Sequence, residues 1–220
     1  YEIMPSLVGS EMCIRDRNTT SLSEFDLTED NTQFVVGYKE GYASFCGNPF
    51  NLSVVNYDTY IGRYTGTKIS DGKRRCDFIL TDTDTYNIIL LCEVTSSIGG
   101  MENLSRPIEK TQKDGTRTVV FPKGKYQKVE LQLYQSLETL TEVPSISSYI
   151  NNKKRKVCLM SYLIKRTEDN AVNAFNRNRL MEAEEAGENG AQISCPQIEQ
   201  FGFDYYRISH DYSFRISNSK

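Results

Sequence analysis

The chain has 220 residues, of which 38% are apolar and 25% charged, and its 14 tyrosines and 10 phenylalanines supply large side chains for one good-sized core. A net charge of -3 excludes a histone-like basic binder, although it averages over local patches. The longest apolar run, near 88–92, is far too short for a membrane-spanning helix, so no membrane association is expected.

The chain opens on Tyr1 rather than Met, which reads as a fragment or a partial reading frame. The run 4–17, MPSLVGSEMCIRDR, resembles translated sequencing-adapter sequence. Residues 1–17 are therefore read as a non-native segment, with the native chain starting near Asn18. No basic start is followed by an apolar stretch of signal-peptide length, and the reading is not secreted but intracellular, cytoplasmic or nuclear. The six cysteines are widely spread, with no CxxC pair, and His210 is the only histidine. That spacing offers no structural zinc site, and Cys76, Cys92 and Cys158 sit in or beside apolar runs, where a thiol acts as a small hydrophobe.

Segment 18–50 is mixed, with an acidic start and then FVVGYKEGYASF; part of it reads weakly as helix, interrupted by Gly37, Gly41 and Gly47. Segment 51–70 alternates loosely and holds a candidate short strand. The middle is clearer: 76–81, CDFILT, and 87–95, NIILLCEVT, read as two strands joined as a hairpin, the second apolar enough to be central. Segment 96–124 reads as loop, with a short strand at 118–121. The best helix is 125–140, where Val129, Leu133, Leu137 and Leu140 form one apolar stripe and Lys125, Lys128, Gln132 and Gln135 a neighbouring polar one. Pro144 helps to end it, a polar turn follows, and 156–164, KVCLMSYLI, reads as a further strand. Strand, strand, helix, strand implies an α/β fold, a mixed central sheet with flanking helices. Beyond 166 the signal fades: 168–180 is a candidate helix, 181–190 an acidic loop, and 201–216 an aromatic strand or packed extension. The domain reading is therefore 18–166 for the α/β domain and 167–220 for a C-terminal extension, partly helical or packed on the core.

Two acids fall where chemistry can use them. Asp77 opens the first central strand, and Glu93 lies near the end of the second, where burial is costly unless the acid is paired, hydrogen-bonded or metal-bound. Leu91, Glu93 and Thr95 share one face of that strand. If the hairpin pairs as expected, Asp77 and Glu93 converge at one end of the sheet. Two neighbouring carboxylates repel, which favours a divalent cation between them, and oxygen ligands select Mg2+ or Mn2+.

This arrangement resembles the PD-(D/E)XK nuclease superfamily, in which an Asp begins one strand of a hairpin, an acid-x-Lys triplet ends the next, and a helix and a further strand follow. The resemblance covers about residues 75–164. It implies a restriction-endonuclease-like core, Asp77 and Glu93 as metal ligands, and metal-dependent hydrolysis of phosphodiester bonds in RNA or DNA. Cys76 stands where the family has proline, and Thr95 where it has the lysine that polarises the attacking water. Some members carry a lysine on the following helix instead, which makes Lys128 the candidate, Lys125 the second, with Gln132 on the same stripe. CEVTSS, followed by a lysine-rich segment and GKYQK, is similar to the cap-snatching endonuclease domain of segmented negative-strand RNA viruses. Many members of that branch have an upstream histidine ligand; here an upstream acid takes its place, Glu40 first and Asp58 second. Basic residues cluster around the supposed site (Arg63, Lys68, Lys73, Arg74 and Arg75; Lys153 to Lys156), as phosphate backbones require. The expected partner is nucleic acid, RNA or DNA, with the chain as part of a larger polypeptide or protein complex. The competing readings are a catalytically inactive nucleic-acid-binding or assembly domain of the same fold, and a structural or protein-interaction domain.

Overall fold

A computed structural model describes residues 17–30, 33–37, 42–63, 73–83, 85–95, 108–111, 117–120, 124–162, 190–210 and 212–217. In chain order the strands are β1 (Arg17–Thr20), β2 (Phe25–Asp30), β3 (Gln33–Gly37), β4 (Ala43–Cys46), β5 (Leu52–Asn56), β6 (Phe78–Asp82), β7 (Ile88–Thr95), β8 (Ile108–Thr111), β9 (Arg117–Val120), β10 (Arg155–Tyr162), β11 (Ala191–Gln192), β12 (Asp204–Ser209) and β13 (Ser213–Arg215). The helices are α1 (Tyr57–Arg63), α2 (Lys125–Thr141), α3 (Pro144–Asn151) and α4 (Pro196–Glu199).

A seven-stranded sheet in the order β1-β5-β6-β7-β10-β12-β11 forms the centre. From β1 to β7 neighbours run antiparallel, whereas β10 is parallel to both β7 and β12. A tight connection serves the β6–β7 hairpin, but the parallel step from β7 to β10 needs a crossover, which contains α2 and α3. The fold is thus a mixed α/β one with a central sheet flanked by helices.

Both faces of that sheet are covered, which explains why β7 and β10 read as unbroken apolar runs rather than alternating ones. On one face Ile79, Ile89, Leu91, Cys158, Met160 and Tyr205 pack against Val129, Leu133 and Leu137 of α2, Ile146 and Ile150 of α3, and Ile198 of α4. On the other, Leu52, Val54, Leu80, Leu90 and Leu159 pack against a four-stranded sheet ordered β13-β4-β2-β3, through Phe25, Leu27, Phe45 and Phe214. Phe25 stacks on Phe45 at 5.1 Å between centroids, and Phe214 meets Phe45 edge-on. Strand parity therefore assigns each residue of β7 to a layer, with Ile89 and Leu91 toward the helices and Leu90 and Cys92 toward the second sheet.

Three expectations are corrected. The helix sought within 18–50 is replaced by strands, β1 to β4, because Phe25 and Leu27, and Ala43 and Phe45, alternate inward at the period of a strand. The polar turn after Pro144 is instead α3, in which the proline is an initiator at the first helical position and Ile146 and Ile150 face inward at helical spacing. Segment 96–124, read as loop with one strand, contains the antiparallel pair β8–β9. In the C-terminal part, β12 is a strand of the central sheet beside β10, and β13 joins the second sheet. The candidate helix 168–180 and the loop 181–189 lie outside the described residues, as do residues 1–16.

Candidate functional site

The β6–β7 register pairs Phe78 with Cys92. One step further along the same antiparallel ladder brings Asp77, just before β6, opposite Glu93. Opposed residues on one face of such a pair lie about 5 Å apart at Cβ. Both belong to the parity that looks toward the helix layer. The two acids are near enough for the Asp77 backbone N–H and carboxylate both to act on the Glu93 carboxyl.

Several bonds hold Asp77. The backbone N–H of Val94 donates to its Oδ2 at 2.7 Å, and its own carbonyl accepts from Tyr57 N–H at the start of α1 at 2.8 Å. The chain leading to it is clasped by the polar edge of α2. Gln135 Oε1 accepts from Arg74 N–H at 2.8 Å, Ser136 Oγ accepts from the buried Cys76 N–H at 2.8 Å, and Gln132 Nε2 donates to the Arg75 carbonyl at 3.1 Å. The same Gln132 amide donates to Glu93 Oε1 at 2.5 Å. One glutamine therefore fixes both the approach to Asp77 and the rotamer of Glu93.

Glu93 is only 6% exposed, and its second oxygen, Oε2, is buried with no hydrogen-bond partner among the described residues. Burial, and then the Asp77 carboxylate beside it, push its carboxyl up to about 9, against the Gln132 amide and the Asp77 backbone N–H, which favour the anion; Asp58 adds a smaller push upward. Two residues on, Thr95 is also 6% exposed, and its Oγ1 likewise lacks a partner among the described residues. Two orphaned oxygens on one strand face, beside a second carboxylate, leave hydrogen-bonding capacity unmet among the described residues.

Asp58, the second choice for an upstream acid, lies in the first turn of α1 and pairs with Arg75, its Oδ1 3.5 Å from Nε. Glu40, the first choice, lies outside the described residues. Lys125 and Lys128 occupy the first turn of α2, Lys128 exposed. Among the described residues neither makes a hydrogen bond or ion pair to Glu93; the α2 side chain that reaches it is Gln132. Among the described residues, no group of three or more His, Cys, Asp or Glu side chains converges as a metal cluster. The structure thus brings together Asp77, Glu93 and Gln132 and adds Thr95, Ser136 and the Asp58–Arg75 pair. Sequence reasoning singled out neither Ser136 nor the pair with Arg75 as site features. Ser136 shares a helix edge with Gln132 at a spacing of four, a signal for the first; the second is a non-local contact that no spacing announces.

The site thus belongs to a mixed α/β fold in which a strand-end carboxylate pair faces a helix. Comparison of the chain with protein-family models, with curated proteins and with solved structures found no match. None of the described helices is long and apolar enough to cross a membrane.

Proposed function

We propose that the chain is a metal-dependent nuclease built on a restriction-endonuclease-like core, hydrolysing phosphodiester bonds in RNA or DNA with Mg2+ or Mn2+. The observation that carries this reading is the buried Glu93 carboxylate, one oxygen held by Gln132 and the other without a partner among the described residues, beside Asp77 at the end of a central hairpin. The order of antiparallel hairpin, helix and parallel strand supports the core assignment.

The donor set fits a hard divalent cation. Glu93 Oε2 and the Asp77 carboxylate are oxygen donors at one strand end, and water and substrate oxygens complete such a shell, as Mg2+ in particular prefers. When bound, the cation supplies Lewis-acid polarisation and a more acidic water. In the hydrolysis, the oxygen of water forms a new bond to phosphorus and one ester P–O bond breaks. The attacking water gives up a proton and the departing oxygen gains one. Asp77 and Glu93 supply the negative charge that holds the cation, and Gln132 keeps Glu93 Oε1 engaged so that Oε2 faces the site. The Thr95 hydroxyl offers a hydrogen bond but no charge. Lys128 or Lys125 has to reach in from the first turn of α2 to serve as the lysine.

The test is isothermal titration of Mn2+ into the wild-type chain and into Glu93→Ala and Asp77→Ala, followed by incubation with labelled single-stranded RNA and DNA. The wild type is expected to bind in the micromolar to millimolar range and to cut only with metal. Each substitution is expected to abolish the heat while leaving a folded domain. No heat and no thermal stabilisation by Mn2+ sinks the reading. Metal binding without cutting favours the second reading, an inactive nucleic-acid-binding or assembly domain of the same fold; its specific support is Thr95 in the lysine's place.

A further inference from the structure

Arg75 lies two residues before Asp77, and its carbonyl shares the Gln132 amide with Glu93. Its Nε faces Asp58 Oδ1 at 3.5 Å, and the two side chains are unequally exposed, 22% for Arg75 and 61% for Asp58. The guanidinium is thus the inward member of the pair. Its Nη1 is buried and has no hydrogen-bond partner among the described residues. A guanidinium has five N–H donors in a rigid fork, and a buried cationic donor left unsatisfied is costly. An anionic oxygen is one acceptor that would satisfy it. Phosphate oxygens suit that fork better than any neutral group, and the charge is permanent.

Resting on the nucleic-acid reading above, we propose that Arg75, oriented by Asp58, is the phosphate-binding residue of this site. Nη1 receives a non-bridging oxygen of the bound backbone. The guanidinium supplies the fixed positive charge that Thr95 cannot. Asp58 then acts as a positioning residue, holding Nε so that Nη1 points inward, rather than as a ligand.

The experiment measures binding of labelled single-stranded RNA and DNA oligonucleotides to the full chain by fluorescence anisotropy, in EDTA to prevent cutting, over a series of salt concentrations. Arg75→Ala is expected to weaken binding about tenfold and to flatten the dependence of log affinity on log salt by about 0.7, the share of one phosphate contact on a single strand. Arg75→Lys keeps the charge without the fork and should recover part of the loss. Asp58→Asn leaves the charge but frees its orientation and should weaken binding by a smaller factor, which keeps the test informative if Arg75→Ala does not fold. Mn2+ titration of Arg75→Lys should match the wild type. Unchanged affinity and slope in Arg75→Ala, or in both conservative variants, overturns the proposal, as does a wild type that binds no oligonucleotide. The two readings fail separately. A wild type that takes no Mn2+ but loses oligonucleotide on Arg75→Ala removes the nuclease and keeps Arg75; one that takes Mn2+ with Arg75→Ala binding as before does the reverse.

Discussion

Glu93 sits on a strand buried on both faces, and this burial dictates how the site responds to pH. Its carboxyl titrates near 9 in the fold, against an ordinary value of 4.5. Because the folded value is raised, the folded state binds a proton that the unfolded state has already lost between those limits. The stability associated with the neutral form is complete below about 4.5 and drains away as pH rises toward about 9. The metal-free chain should therefore melt several degrees lower at pH 9 than at pH 5, and Glu93→Gln should flatten that slope. A wild type whose melting temperature is level over this range would contradict the burial argument. Divalent cation favours the anion and should reverse the trend, so apparent metal affinity should climb with pH. The burial of Glu93 was legible in the sequence because an acid near the end of an apolar run is carried inward with it, whereas the choice between a pair, a hydrogen bond and a metal was not. Arg75 stood out only as one member of a basic run, and its contact with Asp58 is non-local, so no spacing distinguished it from Lys73 and Arg74.

At the scale of an element, α2 has two tasks on two edges. Its apolar stripe, with Leu133 and Leu137 both fully buried, fixes it on the sheet. Leu137→Ala should destabilise the chain by about 2–5 kcal/mol in urea unfolding, the usual range for a truncated core leucine. The polar edge acts on the site instead. Ser136 Oγ donates to the Gln132 carbonyl and accepts from Cys76 N–H, each at 2.8 Å, with its side chain fully buried. Ser136→Ala leaves that N–H without an acceptor, at a cost of about 1–3 kcal/mol, and loosens the approach to Asp77. Weaker Mn2+ binding than in Leu137→Ala, despite a smaller loss of stability, is the expected signature; equal binding in the two would place Ser136 among purely structural residues. This helix, the hairpin and β10 were readable because each combines a long apolar signal with one clear period. α3 was hidden by serines between its two inward isoleucines and by a proline that serves starting and stopping equally well. The strands from β1 to β4 are short and punctuated by glycine and acids, so β2 and β4 each display only two inward residues among the described ones, and two of the pairings, β1 with β5 and β4 with β13, are long-range.

Across the whole molecule, the far end of the same hairpin is held by a second charged arrangement. Lys153 Nζ bonds Asp82 Oδ1 at 2.7 Å, with both side chains almost wholly buried, and donates also to the carbonyls of Asp82 and Thr85. The Tyr149 ring lies 4.5 Å from the ammonium. Burial by itself raises the Asp82 carboxyl, but hydrogen bonds from Lys153, Thr85 and two backbone N–H groups outweigh it and hold the carboxyl below its usual range. Lys153→Met strands that carboxylate and should cost about 3–5 kcal/mol, without changing Mn2+ affinity in whatever fraction stays folded. Loss of metal binding in that folded fraction would tie the two ends of the hairpin together. The second sheet brings a different consequence. It sets Phe214 of β13 beside Phe45 of β4, so two segments from opposite ends of the described chain must meet before that layer closes. During synthesis, the apolar face of the central sheet waits for the last of its cover to leave the ribosome. Long-range pairings of this kind make folding slow and leave sticky intermediates exposed, and a chain stopped short of β13 is expected to associate with itself or with a chaperone rather than to fold.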